Sequence, residues 1–378
     1  MVYKMKTIGI VINTSWHIYH FRTGLIKALQ KQGYHVVAIA PKDIYSHKLV
    51  DSDIDYYEIK INNMGTNLFE DTKLTYDYYR LFKKIRPDIL LLYTIKPNIY
   101  GSIAAKMLNI PVISSITGLG TVFLHDSLSS KIAKILYKIT LKIPRKVFFE
   151  NPYDESIFIE QGFVKKNKVI RIPGAGINTN EYVPMENSDF DARSQPKFLF
   201  IARLVKDKGL LEYIEAIRLL RIQYPDTEFA ILGPYYPGNP TAITQNEMEK
   251  WVKEGIVDYL GESEDVRPII SRYDCIVLPS YREGLSRVLL EAASMAKPIV
   301  TTNVPGCRDV VEDGINGFLC KKQDAQDLAD KIGKIIQLTN EERMEMGKKG
   351  REKVVKEFDE PLVNNKYIDT IQEALAVY

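Results

Sequence analysis

The sequence predicts an α/β fold made of two doubly wound, Rossmann-like halves that face each other across a cleft. Three observations lead there. Short β-rich runs alternate with longer stretches of helical periodicity along nearly the whole chain. Several runs, such as Ile89-Leu90-Leu91-Leu92-Tyr93, are apolar on both faces, as strands are when helices cover both sides of a parallel sheet. The alternation breaks at about 174–195, in a segment rich in Asn, Asp, Pro and Gly, and then resumes.

In the first half, strands are expected at 8–12, 35–40, 56–61, 89–93, 112–116, 146–150 and 169–172, with helices at 21–31, 73–85 and 100–108 between several of them. In the second half, strands are expected at 197–202, 228–232, 257–260, 275–278, 299–302 and 317–319. Helices are expected there at 209–223, 266–271, 286–295 and 325–338. The division is therefore 1–175 for the first domain, 176–194 for a linker and 195–358 for the second domain. A closing helix within 360–378 is expected to pack back on the first domain. In sheets of this type, ligands bind beyond the carboxyl ends of the strands.

The chain has 378 residues, enough for two domains of ordinary size, with 45% hydrophobic and 26% charged residues. Its three cysteines, Cys275, Cys307 and Cys320, include no Cys-x-x-Cys pair. That argues against a disulfide framework or a cysteine-rich metal site, and for a reducing compartment. No apolar run approaches the roughly 20 residues of a membrane span, and the N-terminus reads as a strand rather than a signal peptide. The net charge of +3 hides an asymmetry. Residues 1–185 hold 25 Lys and Arg against 15 Asp and Glu, whereas residues 186–378 hold 26 against 33. A basic first half points to an anionic partner or surface.

Two carboxylates, Glu283 and Glu291, stand eight residues apart after the strand at 275–278. Glu291 is embedded among Val, Leu, Ala and Met, where a charge is costly to bury unless something satisfies it. It is either a ligand-binding group or a helix-face carboxylate that reaches solvent. Arg203 and Lys208 lie on the loop between the strand at 197–202 and the helix opening at Gly209. Two cations there suit a diphosphate, Arg as a bidentate fork and Lys as a mobile point charge; the alternative is a solvated basic loop. A Gly233-Pro234 turn follows Ala230-Ile231-Leu232.

Taken together, these features resemble the retaining glycosyltransferases of family four, which have the GT-B fold. The matching stretches are Ala202-Arg203-Leu204-Val205-Lys206-Asp207-Lys208-Gly209 and Pro279-Ser280-Tyr281-Arg282-Glu283-Gly284, the latter running on to Leu289-Leu290-Glu291-Ala292. Pro298-Ile299-Val300 and Gly314-Ile315-Asn316-Gly317-Phe318 match further elements of that family. The resemblance implies a first domain that binds the acceptor and a second that binds a nucleotide-sugar donor. It implies that Arg203 and Lys208 bind the donor diphosphate and stabilise the leaving nucleotide. Glu283 would face the donor sugar, and Glu291 would grip the ribose hydroxyls. Gly233 and Pro234, with Gly284, Leu285 and Ser286 at the start of a helix, would border the donor; a helix N-terminus favours an anion on its own account. The family activates its leaving group without a divalent metal or cofactor, and two cations with a helix dipole are a plausible substitute.

On the acceptor side, His20 and Arg22 open a helix after the first strand, in His20-Phe21-Arg22. They suit an anionic group such as a lipid diphosphate; ordinary helix-start packing is the alternative. This stretch resembles transferases that extend polyprenyl-diphosphate-linked sugars. Lys96, after the strand at 89–93, is a further acceptor candidate. Thr117 stands in Ile116-Thr117-Gly118-Leu119-Gly120, where many family members have His. A hydroxyl there can contact a sugar but offers no protonatable imidazole. Asp51-Ser52-Asp53 and Asp53-Ile54-Asp55 match the D-x-D metal motif only formally and read as a solvated turn. Gly174-Ala175-Gly176 leads into linker, not helix, and so fails the dinucleotide fingerprint.

Lys131, Lys134, Lys138, Lys142 and Arg145/Lys146 recur at helical spacing beside interleaved Ile and Leu. This reads either as a helix lying on an anionic membrane surface or as a core-packed helix with a solvated lysine face. No nucleic-acid-binding module is recognisable. The expected activity is retaining transfer from a UDP-hexose or UDP-N-acetylhexosamine to a polyprenyl-diphosphate-linked saccharide. It would act at the cytoplasmic face of a bacterial membrane, in surface polysaccharide or glycan synthesis. The alternatives are a nucleotide-sugar epimerase and a non-catalytic nucleotide-sugar-binding subunit.

Overall fold

A computed structural model of the chain describes residues 5–62, 67–118, 128–185 and 195–376. Residues 186–194 of the expected linker, Leu119 and Gly120 of the Thr117 segment, and the last two residues of the closing helix lie outside the described residues. The chain divides into two compact units, Met1–Ala175 with Pro361–Tyr378, and Gly176–Glu360.

The first unit runs β1 (Thr7–Val11), α1 (Ser15–Lys31), β2 (His35–Ala40), α2 (Ile44–Asp51), β3 (Asp55–Glu58), α3 (Leu68–Ile85), β4 (Ile89–Tyr93), α4 (Ser102–Met107), β5 (Val112–Ile116), α5 (Leu128–Thr140), β6 (Lys146–Phe149), α6 (Pro152–Glu160) and β7 (Val169–Arg171). Its strands pair in parallel in the order β3-β2-β1-β4-β5-β6-β7. The all-apolar strands have a direct cause: β4 and β5 are buried along their whole length, with helices on both faces.

The second unit runs β8 (Lys197–Ile201), α7 (Leu210–Arg221), β9 (Glu228–Leu232), α8 (Gln245–Lys253), β10 (Asp258–Tyr259), α9 (Arg267–Ile270), β11 (Cys275–Leu278), α10 (Arg287–Ser294), β12 (Ile299–Thr302), β13 (Gly317–Cys320), α11 (Ala325–Gln337) and α12 (Asn340–Glu357). Its parallel sheet has the order β10-β9-β8-β11-β12-β13. In both sheets the order reverses beside the first strand, as in a doubly wound fold. The last helix, α13 (Glu360–Ala376), packs Val363, Tyr367, Ile371 and Leu375 into the core of the first unit, against the α1 side of its sheet.

Three local differences from the sequence reading have clear causes. Helix α1 begins six residues before the expected start, because the Thr14 side chain accepts from His17 N at 3.2 Å and caps the helix. Strand β3 ends at Glu58, three residues before the expected end at Ile61, and Lys60 and Ile61 line a cavity instead. The basic helix 131–146 stops at Thr140. Ile143 N already makes the tighter bond to Thr140 O, and Pro144 bars continuation. Lys146 therefore starts β6 and pairs with Glu373 at 3.1 Å. Among the described residues, no helix is long and apolar enough to cross a membrane. All three cysteines are buried and free.

Candidate active site

Where strand order reverses, the loops leaving the two adjacent strands part in opposite directions and open a crevice. In the second unit this place lies between β8 and β11. The loop after β8 carries Arg203 and Lys208, and the loop after β11 carries Glu283, so groups 75 residues apart in sequence meet: Lys208 Nζ lies 2.5 Å from Glu283 Oε1. Both side chains are largely buried, at 19% and 13% exposure. A charge-assisted hydrogen bond in that setting holds both groups in place.

The two loops are laced together by their backbones. Tyr281 N donates to Asp207 O at 2.9 Å, and Ser280 Oγ donates to the same carbonyl at 3.4 Å. Gly209, at the N-cap of α7, has φ +76 and sits so close to the Pro279 carbonyl that a Cβ would overlap it. Gly233 lies equally tight on the Ala202 carbonyl, and Pro234 O accepts from Leu204 N at 3.0 Å. The structure thus places Gly233 and Pro234 as a brace behind the Arg203 loop.

Arg203 is exposed at the end of this frame, and its guanidinium lies 4.6 Å from the centre of the Tyr236 ring. Among the described residues no carboxylate pairs with it. Ser286 precedes α10 and makes no side-chain cap, so the first turn of that helix is not closed by its own N-cap residue. Gly284 and Leu285, half-buried, lead into it, and Ser286 N donates to Gly306 O at 3.1 Å.

Glu291 lies on α10 and is 8% exposed. Arg287, one turn earlier, donates Nε–H to its Oε1 at 3.0 Å. Burial pushes the Glu291 carboxyl up from its ordinary range, while the Arg287 charge and hydrogen bonds from Arg287 and Tyr182 oppose that shift. Burial, followed by the Glu291 charge, pushes the Tyr182 hydroxyl up to about 12. The sequence reading missed Arg287, Tyr182 and Tyr236. Arg287 was discoverable from the i, i+4 spacing to Glu291; the other two contacts exist only in the folded chain.

The four acceptor candidates of the first unit have different surroundings. Half-buried His20 is packed among rings, with centroids 4.8 Å from Trp16, 5.2 Å from Tyr19 and 5.0 Å from Tyr45. Arg22 is 5% exposed, its guanidinium 4.4 Å from the Tyr93 ring and 5.9 Å from the Tyr367 ring of α13. Lys96 Nζ bonds Asp71 Oδ1 at 2.8 Å, and Tyr100 donates to the other oxygen at 2.9 Å. Lys96 also lines a cavity of about 440 Å³ with Lys42, Lys60 and Lys73. Thr117 is exposed immediately after β5. The D-x-D residues are spread over a helix end and a strand start: Asp51 closes α2, and Asp55 opens β3 and pairs with His35 at 2.9 Å.

Comparison with known proteins is consistent across both units. Residues 8–151 match the family model described as glycosyl transferase 4-like, and residues 186–353 match that of glycosyl transferases group 1. Over 96% of the chain and 97% of the relative, it is 26% identical to the N,N'-diacetylbacillosaminyl-diphospho-undecaprenol α-1,3-N-acetylgalactosaminyltransferase of Campylobacter jejuni. It is 27% identical to the UDP-Gal:α-D-GlcNAc-diphosphoundecaprenol α-1,3-galactosyltransferase of Escherichia coli, over 78% of the chain and 77% of the relative. An Anabaena protein solved in complex with UDP and glucose superposes with a TM-score of 0.79 at 19% identity, covering 97% of this chain and 99% of that one. The two sheets, their strand order and the tandem family matches establish a glycosyltransferase chain with the GT-B fold, in which a glycosyl transferase 4-like domain precedes a glycosyl transferases group 1 domain.

Proposed function

We propose that the chain is a retaining, metal-independent hexosyltransferase. It moves a hexose or N-acetylhexosamine from UDP to a polyprenyl-diphosphate-linked saccharide, in surface polysaccharide or glycan synthesis. The observation that carries this reading is the frame at the β8–β11 switch point. There Arg203 has no carboxylate partner among the described residues, and Lys208 is held by Glu283 at the uncapped start of α10. Such an arrangement offers two cations and a helix N-terminus to a diphosphate.

Arg203 and Lys208 stabilise the departing UDP as its bond to the anomeric carbon breaks. The acceptor hydroxyl adds to the same face, and its proton passes to the departing phosphate oxygen. Glu283 faces the sugar and orients Lys208. Glu291 receives the ribose hydroxyls, and Gly284, Leu285 and Ser286 present the start of α10 to the phosphates. Gly233 and Pro234 support the Arg203 loop from behind. Removing one such charge-stabilising donor typically costs a hundredfold or more in turnover.

A UDP donor is supported by the UDP-galactose named for the Escherichia coli relative and by the UDP complex of the Anabaena protein. A polyprenyl-diphosphate acceptor is supported by the undecaprenol in the names of both relatives. Their α-1,3 linkages are what retention yields from an α-linked donor. On the first unit, Thr117 and His20 are the acceptor contacts. Arg22 and Lys96 act from beneath, through Tyr93 and Asp71.

Localisation on the cytoplasmic face of a membrane is supported by α5. Ile132, Ile135 and Ile139 form an exposed row, at 40%, 60% and 58% exposure, beside exposed Lys131 and Lys138. Apolar and basic rows side by side suit an anionic leaflet. Replacing Arg203 or Lys208 with Ala is expected to lower turnover by about a hundredfold or more with melting temperature preserved. Near-normal turnover would falsify the diphosphate role.

A further inference from the structure

Arg203 raises a physical question. An exposed arginine without a carboxylate partner ordinarily samples many rotamers, yet a site built for a diphosphate gains from a cation already in place. A carboxylate would fix it at the cost of cancelling its charge. The Tyr236 ring, 4.6 Å beneath the guanidinium, attracts the cation through its quadrupole and leaves the charge intact.

Tyr236 itself is well anchored. It sits in Gly233-Pro234-Tyr235-Tyr236-Pro237-Gly238-Asn239 after β9. Gly233 N donates to Gly261 O at 2.7 Å, and Tyr235 packs edge-on against Tyr259 at 5.4 Å. Asn239 N returns to Tyr236 O at 3.3 Å. Beyond it, Lys206 N donates to Thr241 O at 2.8 Å, Ile243 N donates to Leu204 O at 2.9 Å, and Thr241 Oγ1 donates to Asp207 Oδ2 at 3.2 Å. The segment carrying Tyr236 is therefore stitched along its length to the loop carrying Arg203. The ring is still 42% exposed, so it forms a platform at the edge of the site, not part of the core.

We propose that Tyr236 is a positioning residue, whose ring holds the Arg203 guanidinium ready for the donor diphosphate without neutralising it. This rests on the donor-site reading above. Tyr236 acts through Arg203 on the phosphates and leaves recognition of the nucleoside to other groups.

The test is titration of UDP and of uridine with wild type, Y236A, Y236L, Y236F, R203A and the R203A/Y236A double variant, each checked for an unchanged melting temperature. Y236L keeps apolar bulk without the aromatic face, and Y236F keeps the face. Y236A and Y236L are expected to weaken UDP binding roughly three- to tenfold, with uridine binding within about twofold of wild type. Y236F should match wild type, and Y236A should add less than about twofold in the R203A background. Unchanged UDP affinity in Y236A, an equal loss for uridine, or additive effects of the two substitutions would each overturn the proposal. If R203A itself leaves UDP affinity unchanged, the donor-site reading fails. If R203A weakens UDP binding and Y236A does not, only the role of Tyr236 fails.

Discussion

At the scale of single residues, Glu291 shows how a costly charge is kept for use. Its carboxyl is buried, and Arg287 and Tyr182 hold it. In the proposed donor site, a ribose hydroxyl would donate to the same carboxylate and add a charged hydrogen bond, which typically contributes about 1.5–3 kcal/mol. Wild type is therefore expected to prefer a UDP-sugar over its 2′-deoxyuridine counterpart by about tenfold or more in kcat/KM, and E291A should lose most of that preference. An E291A enzyme that still discriminates would remove Glu291 from the ribose. At Glu150 burial acts in the same direction and has a consequence for stability. Its carboxyl is pushed up from 4.5 to about 7 by burial, against the Arg22 charge and with help from Asp154. Between those two pH values the native state keeps the proton that the unfolded state has lost, so stability falls as pH rises through the window. Denaturant unfolding should show wild type losing on the order of 2 kcal/mol more than E150Q between about pH 4.5 and 7; parallel curves for the two would contradict the assignment. Neither Arg22 nor Glu150 reveals this in sequence, because α1, β4, α13 and the residue that follows β6 come together only once the chain is folded.

At the scale of elements, strand alternation and the motif loops were legible because their signals are local. Runs such as Ile89 to Tyr93 declare a parallel strand buried on both sides, and Arg203, Lys208 and Glu283 fall at strand ends that only a doubly wound sheet brings together. Helix limits were less legible, since a cap such as Thr14 or a stop such as Pro144 acts through one residue inside a long amphipathic pattern. Helix α8 went unnoticed for a similar reason. Its start depends on the Thr244–Glu247 capping box, and it buries only Met248 and Trp251. Helix α5 keeps part of its expected basic stripe and adds an exposed isoleucine row that the sequence did not separate from the packed face. Replacing Lys131, Lys138 and Lys142 with Gln is expected to lower binding to vesicles containing anionic lipid by about a hundredfold, at roughly 1 kcal/mol per lysine charge near the surface. Turnover on a short-chain, water-soluble acceptor should persist. Unchanged vesicle binding would rule out α5 as the membrane contact.

At the scale of the whole molecule, two similar sheets have been put to different uses. The sheet of the second unit gathers charge at its switch point, where the loop carrying Arg203 and Lys208 meets the loop carrying Glu283 and Lys208 bonds Glu283 across 75 residues of sequence. The first unit is the basic half of the sequence, and it buries its switch-side arginine under aromatic rings, one of them supplied by α13 from the far end of the chain. The proposed retaining transfer from UDP to a lipid-linked saccharide would join these two uses. Its most direct test is incubation of the purified chain with a panel of UDP-sugars and an undecaprenyl-diphosphate-linked amino-sugar acceptor. Mass spectrometry reads the transfer, and NMR reads the anomeric configuration of the product. The expected product is the acceptor heavier by one sugar residue, joined in α linkage, formed in the presence of a metal chelator and about a hundredfold or more slowly by R203A. A β linkage, an epimerised donor with no dependence on acceptor, or donor binding without turnover for every sugar in the panel would contradict it.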